Sequence, residues 1–125
     1  YEQKARRLIE AYGVLIAKAR AAGMKVYMGT ITPFRGCKSY FTEEREKARK
    51  VVNDWIRTTK EIDGFIDFDA LMRDPSEPEQ LRKEWQSGDW LHPNPEGYKM
   101  MGEFAAKQLS KQATPGNGFS TVTVR

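Results

Sequence analysis

Apolar residues recur at helical spacing in three separate stretches of the chain. The first stretch runs from Tyr1 to about Ala22, the second follows Thr42, and the third begins at Pro95 after Asn94. Thr42 and Asn94 are residue types that cap helix N-termini, and proline suits the first helical position. Each stretch therefore predicts a helix with one buried face. The residues expected on the three buried faces are Ala5, Leu8, Ile9, Tyr12, Leu15, Ile16 and Ala19; Ala48, Val51, Val52, Trp55 and Ile56; and Tyr98, Met101, Phe104, Ala105 and Leu109.

Two short stretches rich in β-forming residues, 24–31 and 65–69, alternate with these helices. The order helix, strand, helix, strand predicts an α/β fold built of parallel βα units, with helices covering the sheet. Residues 73–88 contain two prolines and are expected to be mostly surface loop, with one helical turn around 79–85. Two strands leave edges and faces uncovered, so we expect another segment of the same domain, or a second chain, to complete the sheet.

The end of the chain differs in composition from the rest. After Ala113 the sequence reads Thr-Pro-Gly-Asn-Gly, and residues 119–124 alternate weakly. We interpret residues 1–112 as one half-domain and residues 113–125 as a linker and tail, either an edge strand or disordered. A length of 125 residues is short for a three-layer α/β enzyme, and Tyr1 lies inside a helical pattern. We therefore expect a fragment or a processed product.

Charge and composition exclude several classes of function. Lys and Arg number 21 against 17 Asp and Glu, and the basic residues are interleaved with Glu, which is typical of a solvated surface rather than a nucleic-acid groove. No apolar run approaches the roughly 20 residues that span a bilayer. One histidine and one cysteine, Cys37, cannot build a zinc site, and the acidic residues lack calcium-loop spacing. We expect no metal, no cofactor, no nucleic acid and no membrane span, and we interpret Cys37 as a spare thiol.

The most informative residues are Asp89 and His92. Asp89 lies three residues before the only histidine, in a loop that leads into the third helix. A tight turn would bring the carboxylate to the imidazole Nδ1 and leave Nε2 free for a serine hydroxyl. The carboxylate would then hold one tautomer and stabilise the imidazolium, as the acid of a Ser-His-Asp triad does. Taken alone the pattern is weak, because a loop histidine is more often a surface or capping residue.

The sequence around this pair resembles a known family. Asp-Trp-Leu-His-Pro-Asn at 89–94, followed by Glu-Gly-Tyr at 96–98, resembles the last conserved block of the SGNH/GDSL serine hydrolases. Residues 26–34, 52–57 and 65–75 resemble other stretches of that family in the same order, so the resemblance covers about Arg7 to Leu109. It implies a flavodoxin-like three-layer α/β/α parallel sheet, incomplete in this chain, which would be its C-terminal half. It also implies ester hydrolysis without a metal and favours a secreted or periplasmic location.

The resemblance assigns roles to two residues and leaves one role open. His92 matches the family's general base and Asp89 its orienting acid. The Gly-Asp-Ser block that carries the family's nucleophile is absent, as are the early blocks with its other oxyanion donors. No serine stands in such a context, and Ser87, although near His92, is not expected to be the nucleophile. We therefore expect the nucleophile to lie outside the chain and the isolated chain to have little or no esterase activity.

The sequence does not decide which residues contact a substrate, and it allows two functions. Trp90 flanks the pair, so it either lines an acyl or sugar site or packs against the last helix. Phe34 and Arg35 follow a strand end, where open α/β sheets bind ligands, although ordinary loop residues explain them as well. At least one of Asp67 and Asp69 is expected to have a structural hydrogen-bonding role. The resemblance suggests acetylated carbohydrate as substrate; the alternative is an inert interaction or assembly module.

Overall fold

The computed structural model describes residues 1–112. Three long helices, one short helix, two short strands and one 3-10 turn make up this part of the chain. In order they are α1 (Glu2–Ala21), β1 (Tyr27–Gly29), α2 (Glu43–Thr58), β2 (Gly64–Ile66), α3 (Phe68–Met72), the 3-10 turn (Lys83–Trp85) and α4 (Pro95–Gln112). The linker and tail predicted for residues 113–125 lie outside the described residues.

The two strands pair in parallel, which confirms the predicted α/β class. Tyr27 lies opposite Gly64, Met28 opposite Phe65, and Gly29 opposite Ile66. Both strands are shorter than predicted. Among the described residues β1 has a partner strand on one edge only.

Helices cover both faces of this small sheet. On one face Met28 and Phe65 pack against a core of three buried residues from α1 and α2. On the other face Ile66 is buried against α4. The helical residues of these two cores are Ala5, Val52 and Ile56 on the first face, and Ala105 and Leu109 on the second. The described residues therefore form the three layers, helix, sheet and helix, that the sequence predicts.

Local capping explains where α2 and α4 begin. The Thr42 hydroxyl accepts a hydrogen bond from the backbone N–H of Arg45 at 3.1 Å, and acidic residues occupy the first turn of α2. The Asn94 side-chain oxygen accepts from the N–H of Gly97 at 2.8 Å. These bonds satisfy N–H groups that have no partner within a helix. Both predicted caps are confirmed.

The second predicted strand is wrong at its C-terminal end. Phe68 and Asp69 belong to the short helix α3, and Asp67 is its N-cap, accepting from the N–H of Ala70 at 3.1 Å. Five residues that alternate between apolar and acidic fit a strand as well as the start of a capped helix. The carboxylate of Asp67 ends the strand because it competes for backbone donors.

Several apolar residues predicted to be buried lie on the surface of the described chain. Leu15 is 64% exposed and Tyr98 is 55% exposed, and Leu8 and Val51 are also exposed. The prediction of a buried face is wrong at these positions. Val14 of α1 is exposed as well.

A buried ionic network joins α2 to the start of α3. Arg49 donates from Nε to Glu46 at 2.9 Å and from Nη1 to Asp69 at 2.7 Å. Arg57 donates to Asp67 and to Asp69. Burial favours the neutral carboxyl of Asp67, but hydrogen bonds from Arg57, Ala70 and Thr30, together with the charge of Arg57, outweigh it and lower its pKa. The predicted structural role is confirmed for both aspartates.

Candidate active site in the Asp89–His92 turn

Residues 86–93 form a turn whose two ends are joined by the backbone. Gln86 and Pro93 form an antiparallel bridge, and the N–H of Ser87 donates to the carbonyl of His92 at 3.0 Å. Just outside, the N–H of Asn94 donates to the carbonyl of Trp85 at 2.8 Å. The turn is therefore closed immediately before α4, and the cap of that helix fixes its exit.

Asp89 and His92 meet inside this turn. The carboxylate Oδ2 lies 2.6 Å from the imidazole Nδ1. The other oxygen, Oδ1, accepts from the backbone N–H of Leu91 and of His92, both at 2.9 Å, and from the hydroxyl of Ser87 at 3.0 Å. The contact predicted from the spacing is present, and one carboxylate organises both the backbone and the ring.

The hydrogen bonds to Asp89 favour its charged form. The imidazole of His92 is the largest cause, followed by the N–H groups of His92 and Leu91, and together they place the pKa of Asp89 well below its ordinary value. The carboxylate is therefore ionised at neutral pH, and Nδ1 carries the hydrogen that it accepts. Because the side chains of Asp89 and His92 are 45% and 63% exposed, solvent screens their attraction.

The second ring nitrogen of His92, Nε2, has no hydrogen-bond partner among the described residues. The hydroxyls of three serines in this part of the chain have partners other than Nε2 of His92. Ser87 donates to Asp89, Ser110 donates to the carbonyl of Ala106, and Ser39 lies near the sulfur of Cys37. Within residues 1–112, therefore, Nε2 faces no nucleophile.

Trp90 occupies the centre of the turn in an unusual backbone conformation. Its φ is +60°, in the left-handed region that residues other than glycine seldom adopt. Its half-buried indole lies against Gly36, where an added Cβ would be only 2.9 Å from the indole Cγ. Gly36 also has a positive φ, +101°. The absence of a side chain at Gly36 thus lets the loop after β1 approach the turn.

The other residues predicted near a ligand are engaged within the protein. Phe34 is only 6% exposed and packs edge-on against Tyr40, with the ring centres 5.0 Å apart. The guanidinium of Arg35 is held by Glu43 and by Glu79. Phe34 therefore has little surface left for the substrate contact that the sequence suggests.

The two cavities that stand out in the described chain lie elsewhere. One, of about 220 Å³, is lined by residues of α2 and of the loop after α3, including Arg57 and Arg73. The other, of about 560 Å³, lies along α1. Neither of these two cavities is lined by Asp89 or His92.

The model of a known protein family matches most of the chain. The model of the GDSL-like lipase/acylhydrolase family matches residues 1–105, a span that includes both Asp89 and His92. The chain belongs to the GDSL-like lipase/acylhydrolase family. No curated protein matches it. The resemblance read from the sequence is thus confirmed at the level of the family, and the GDSL-like chain is assigned to a family of ester hydrolases.

Some features of this GDSL-like domain were not predicted from its sequence. The side chain of Gln86 accepts two backbone hydrogen bonds inside the turn, and Gly36 supports the indole of Trp90. The residue types alone do not indicate either contact. No described helix has the length and apolarity to cross a membrane, and residues 1–112 contain no cluster of ligands for a metal ion.

Proposed function

We propose that Asp89 and His92 are the acid and base of a Ser-His-Asp triad that hydrolyses carboxylic esters. The observation that carries this proposal is the 2.6 Å contact between Asp89 Oδ2 and His92 Nδ1 in a closed turn. It leaves Nε2 without a partner in residues 1–112, and membership of the GDSL-like family supports ester hydrolysis. A histidine held at Nδ1 and open at Nε2 has the geometry of a general base.

In the proposed reaction, Nε2 of His92 takes the proton of a serine hydroxyl as the serine oxygen attacks the ester carbonyl. The imidazolium then donates that proton to the leaving alcohol, and an acyl-serine remains. A water molecule, deprotonated by Nε2, then attacks the acyl carbon, the bond to the serine oxygen breaks to release the acid, and the imidazolium returns its proton to the serine. Asp89 stays ionised throughout, orients the ring and stabilises its cationic form.

The nucleophile in this proposal comes from a segment outside the printed sequence. Three observations on the described residues support it: no serine hydroxyl is hydrogen-bonded to Nε2 of His92, β1 has one open edge, and apolar residues such as Leu15 are exposed. A further segment would pair with β1 and cover these residues. In this proposal the same segment also supplies the missing strands and the oxyanion donors. Its source is either the N-terminal half of the same domain or a second chain.

Acetylated carbohydrate is the proposed substrate class. Trp90 supports this choice, because it precedes His92 by two residues and its half-buried indole would offer an apolar face to a sugar ring or an acyl group. Acetate release from acetylated xylan, compared with turnover of long-chain p-nitrophenyl esters, tests it. Faster turnover of the long-chain esters would contradict the carbohydrate assignment and leave ester hydrolysis in place.

The acid–base role is tested in the protein encoded by the complete reading frame. His92→Ala should lower kcat/KM for p-nitrophenyl acetate by about 10³-fold or more, since removal of a triad member disables the whole unit. Lys107→Ala, an exposed change on α4, is the control. Turnover at the wild-type rate in the His92 variant would remove this residue from the mechanism.

A second candidate is a catalytically inert assembly module, favoured by the lack of a serine contact to Nε2 in the described residues. The reading frame upstream of Tyr1 separates the two: a Gly-Asp-Ser segment supports the enzyme, and its absence supports the module. In either case we expect the 125-residue chain alone to show no p-nitrophenyl ester turnover above that of free imidazole. Turnover that is lost in Ser87→Ala would contradict this expectation.

A further inference from the structure

We propose that Gln86 is a positioning residue that holds the Asp89–His92 pair in its reactive geometry. The inference rests on the proposed function, since it concerns the same pair. The side-chain oxygen Oε1 of Gln86 accepts a hydrogen bond from the N–H of Gly88 at 2.6 Å and from the N–H of Trp90 at 3.2 Å. These two peptide groups flank Asp89 on either side.

The side chains of Gln86 and Asp89 accept hydrogen bonds from different backbone N–H groups of the turn. Gln86 binds the N–H groups of residues 88 and 90, and Asp89 Oδ1 binds those of residues 91 and 92. Without Gln86 the first two donors would have to turn toward water, because buried or partly buried N–H groups need a partner. Residues 88–90, which carry the Asp89 carboxylate, would then be fixed only through their neighbours in the chain.

The backbone around Asp89 makes this support necessary. Gly88 has φ +105° and Trp90 has φ +60°, so two residues in the left-handed region stand next to the acid. Glycine adopts such a conformation readily, but for Trp90 it is sparsely populated and persists only where the surroundings fix it. Each of the two peptide groups concerned donates to Gln86, so a single side-chain oxygen fixes both.

The pair cannot maintain its own geometry by charge. Both side chains are largely exposed, and exposed ion pairs contribute little because solvent screens them and side-chain entropy opposes them. The direction of the Asp89 carboxylate therefore depends on the hydrogen bonds that Oδ1 accepts and on the backbone that carries the residue. Gln86 is the side chain that holds that backbone, and its own main chain is fixed by the bridge to Pro93.

The tautomer of His92 reports directly on this positioning. The proton lies on the ring nitrogen that has a hydrogen-bond acceptor beside it. Asp89 is that acceptor, and it selects the Nδ1–H form. Because His92 is the only histidine, ¹⁵N NMR of the 125-residue chain in alkaline buffer gives one imidazole to interpret. We expect the Nδ1–H form in the unmodified chain.

Two substitutions separate the acceptor from the volume of Gln86. Gln86→Met keeps the length of the side chain without its oxygen, and we expect it to give a mixture of the two tautomers. Gln86→Glu keeps an acceptor and should retain the Nδ1–H form. Gln3→Met, on the exposed surface of α1, is the matched control and should leave the spectrum unchanged. If Gln86→Met does not fold, Gln86→Ser, which is too short to reach Trp90, replaces it.

Asp89→Ala distinguishes failure of this inference from failure of the proposed function. An unchanged imidazole spectrum in Asp89→Ala would show that the pair does not form, which would overturn both. A changed spectrum in Asp89→Ala together with an unchanged one in Gln86→Met, or in Gln86→Ser where Met does not fold, would overturn only the role of Gln86. Mixed tautomers in Gln86→Glu would show that the acceptor oxygen is not what matters, and would also overturn it.

Discussion

At the scale of single residues, the acid–base turn depends on backbone conformations that few residue types adopt. Trp90 has a positive φ although it carries a large side chain, and its indole rests on the bare backbone of Gly36. The contact joins the loop after β1 to the turn that holds Asp89. A side chain at position 36 would therefore disturb two segments at once.

Gly36→Ala should destabilise the chain by about 1–3 kcal/mol, because alanine is strained at φ +101° and its Cβ would press on Trp90. Gly13→Ala is the matched control: it lies inside α1, and a Cβ there meets no atom within 4 Å. That change should stabilise the chain by roughly 0.5–1 kcal/mol. Urea unfolding followed by tryptophan fluorescence measures both. A Gly36 variant as stable as its parent would contradict the contact.

The sequence predicts some residue contacts and not others, depending on how local they are. The contact between Asp89 and His92 follows from their spacing and from the chemistry of the two groups. The contact between Gly36 and Trp90 joins residues far apart in the chain, and the sequence gives no indication of it. Gln86 is near the pair, but the two N–H groups that it binds belong to residues with positive φ, a backbone conformation that the sequence does not indicate.

At the scale of secondary structure, long periodic patterns and caps predict the elements well. The starts of α2 and α4 lie where Thr42 and Asn94 predict them. The short helix α3 is missed, because its few residues carry too little pattern to oppose the strand interpretation of 65–69. The ionic network that fixes α3 against α2 depends on the tertiary structure and could not be read from spacing.

Arg49 is the central cation of that network, with its side chain 4% exposed and its carboxylate partners equally buried. Arg49→Met should destabilise the chain by about 3–5 kcal/mol, since Glu46 and Asp69 would remain buried without this partner. Arg20→Met, which breaks the exposed pair with Asp63, should cost about 1 kcal/mol or less. Thermal and urea unfolding measure the difference. Equal losses in the two variants would show that burial does not set the strength of the network.

At the scale of the whole molecule, the predicted layers are present and the predicted coverage is incomplete. Helices lie on both faces of the sheet, as the order of elements predicts. Leu15 and Tyr98 nevertheless lie on the surface of the described residues. Periodicity identifies which face of a helix is apolar, but it does not say which polypeptide covers that face.

The open edge of β1 determines how the chain behaves as a solute. Among the described residues one edge of β1 is unpaired and several apolar side chains are exposed, and both features favour association with another strand, including one from a second copy. The average mass measured by static light scattering should therefore rise with protein concentration, and a constant monomer mass would contradict this. Activity assays on the chain alone would then sample particles whose size changes on dilution.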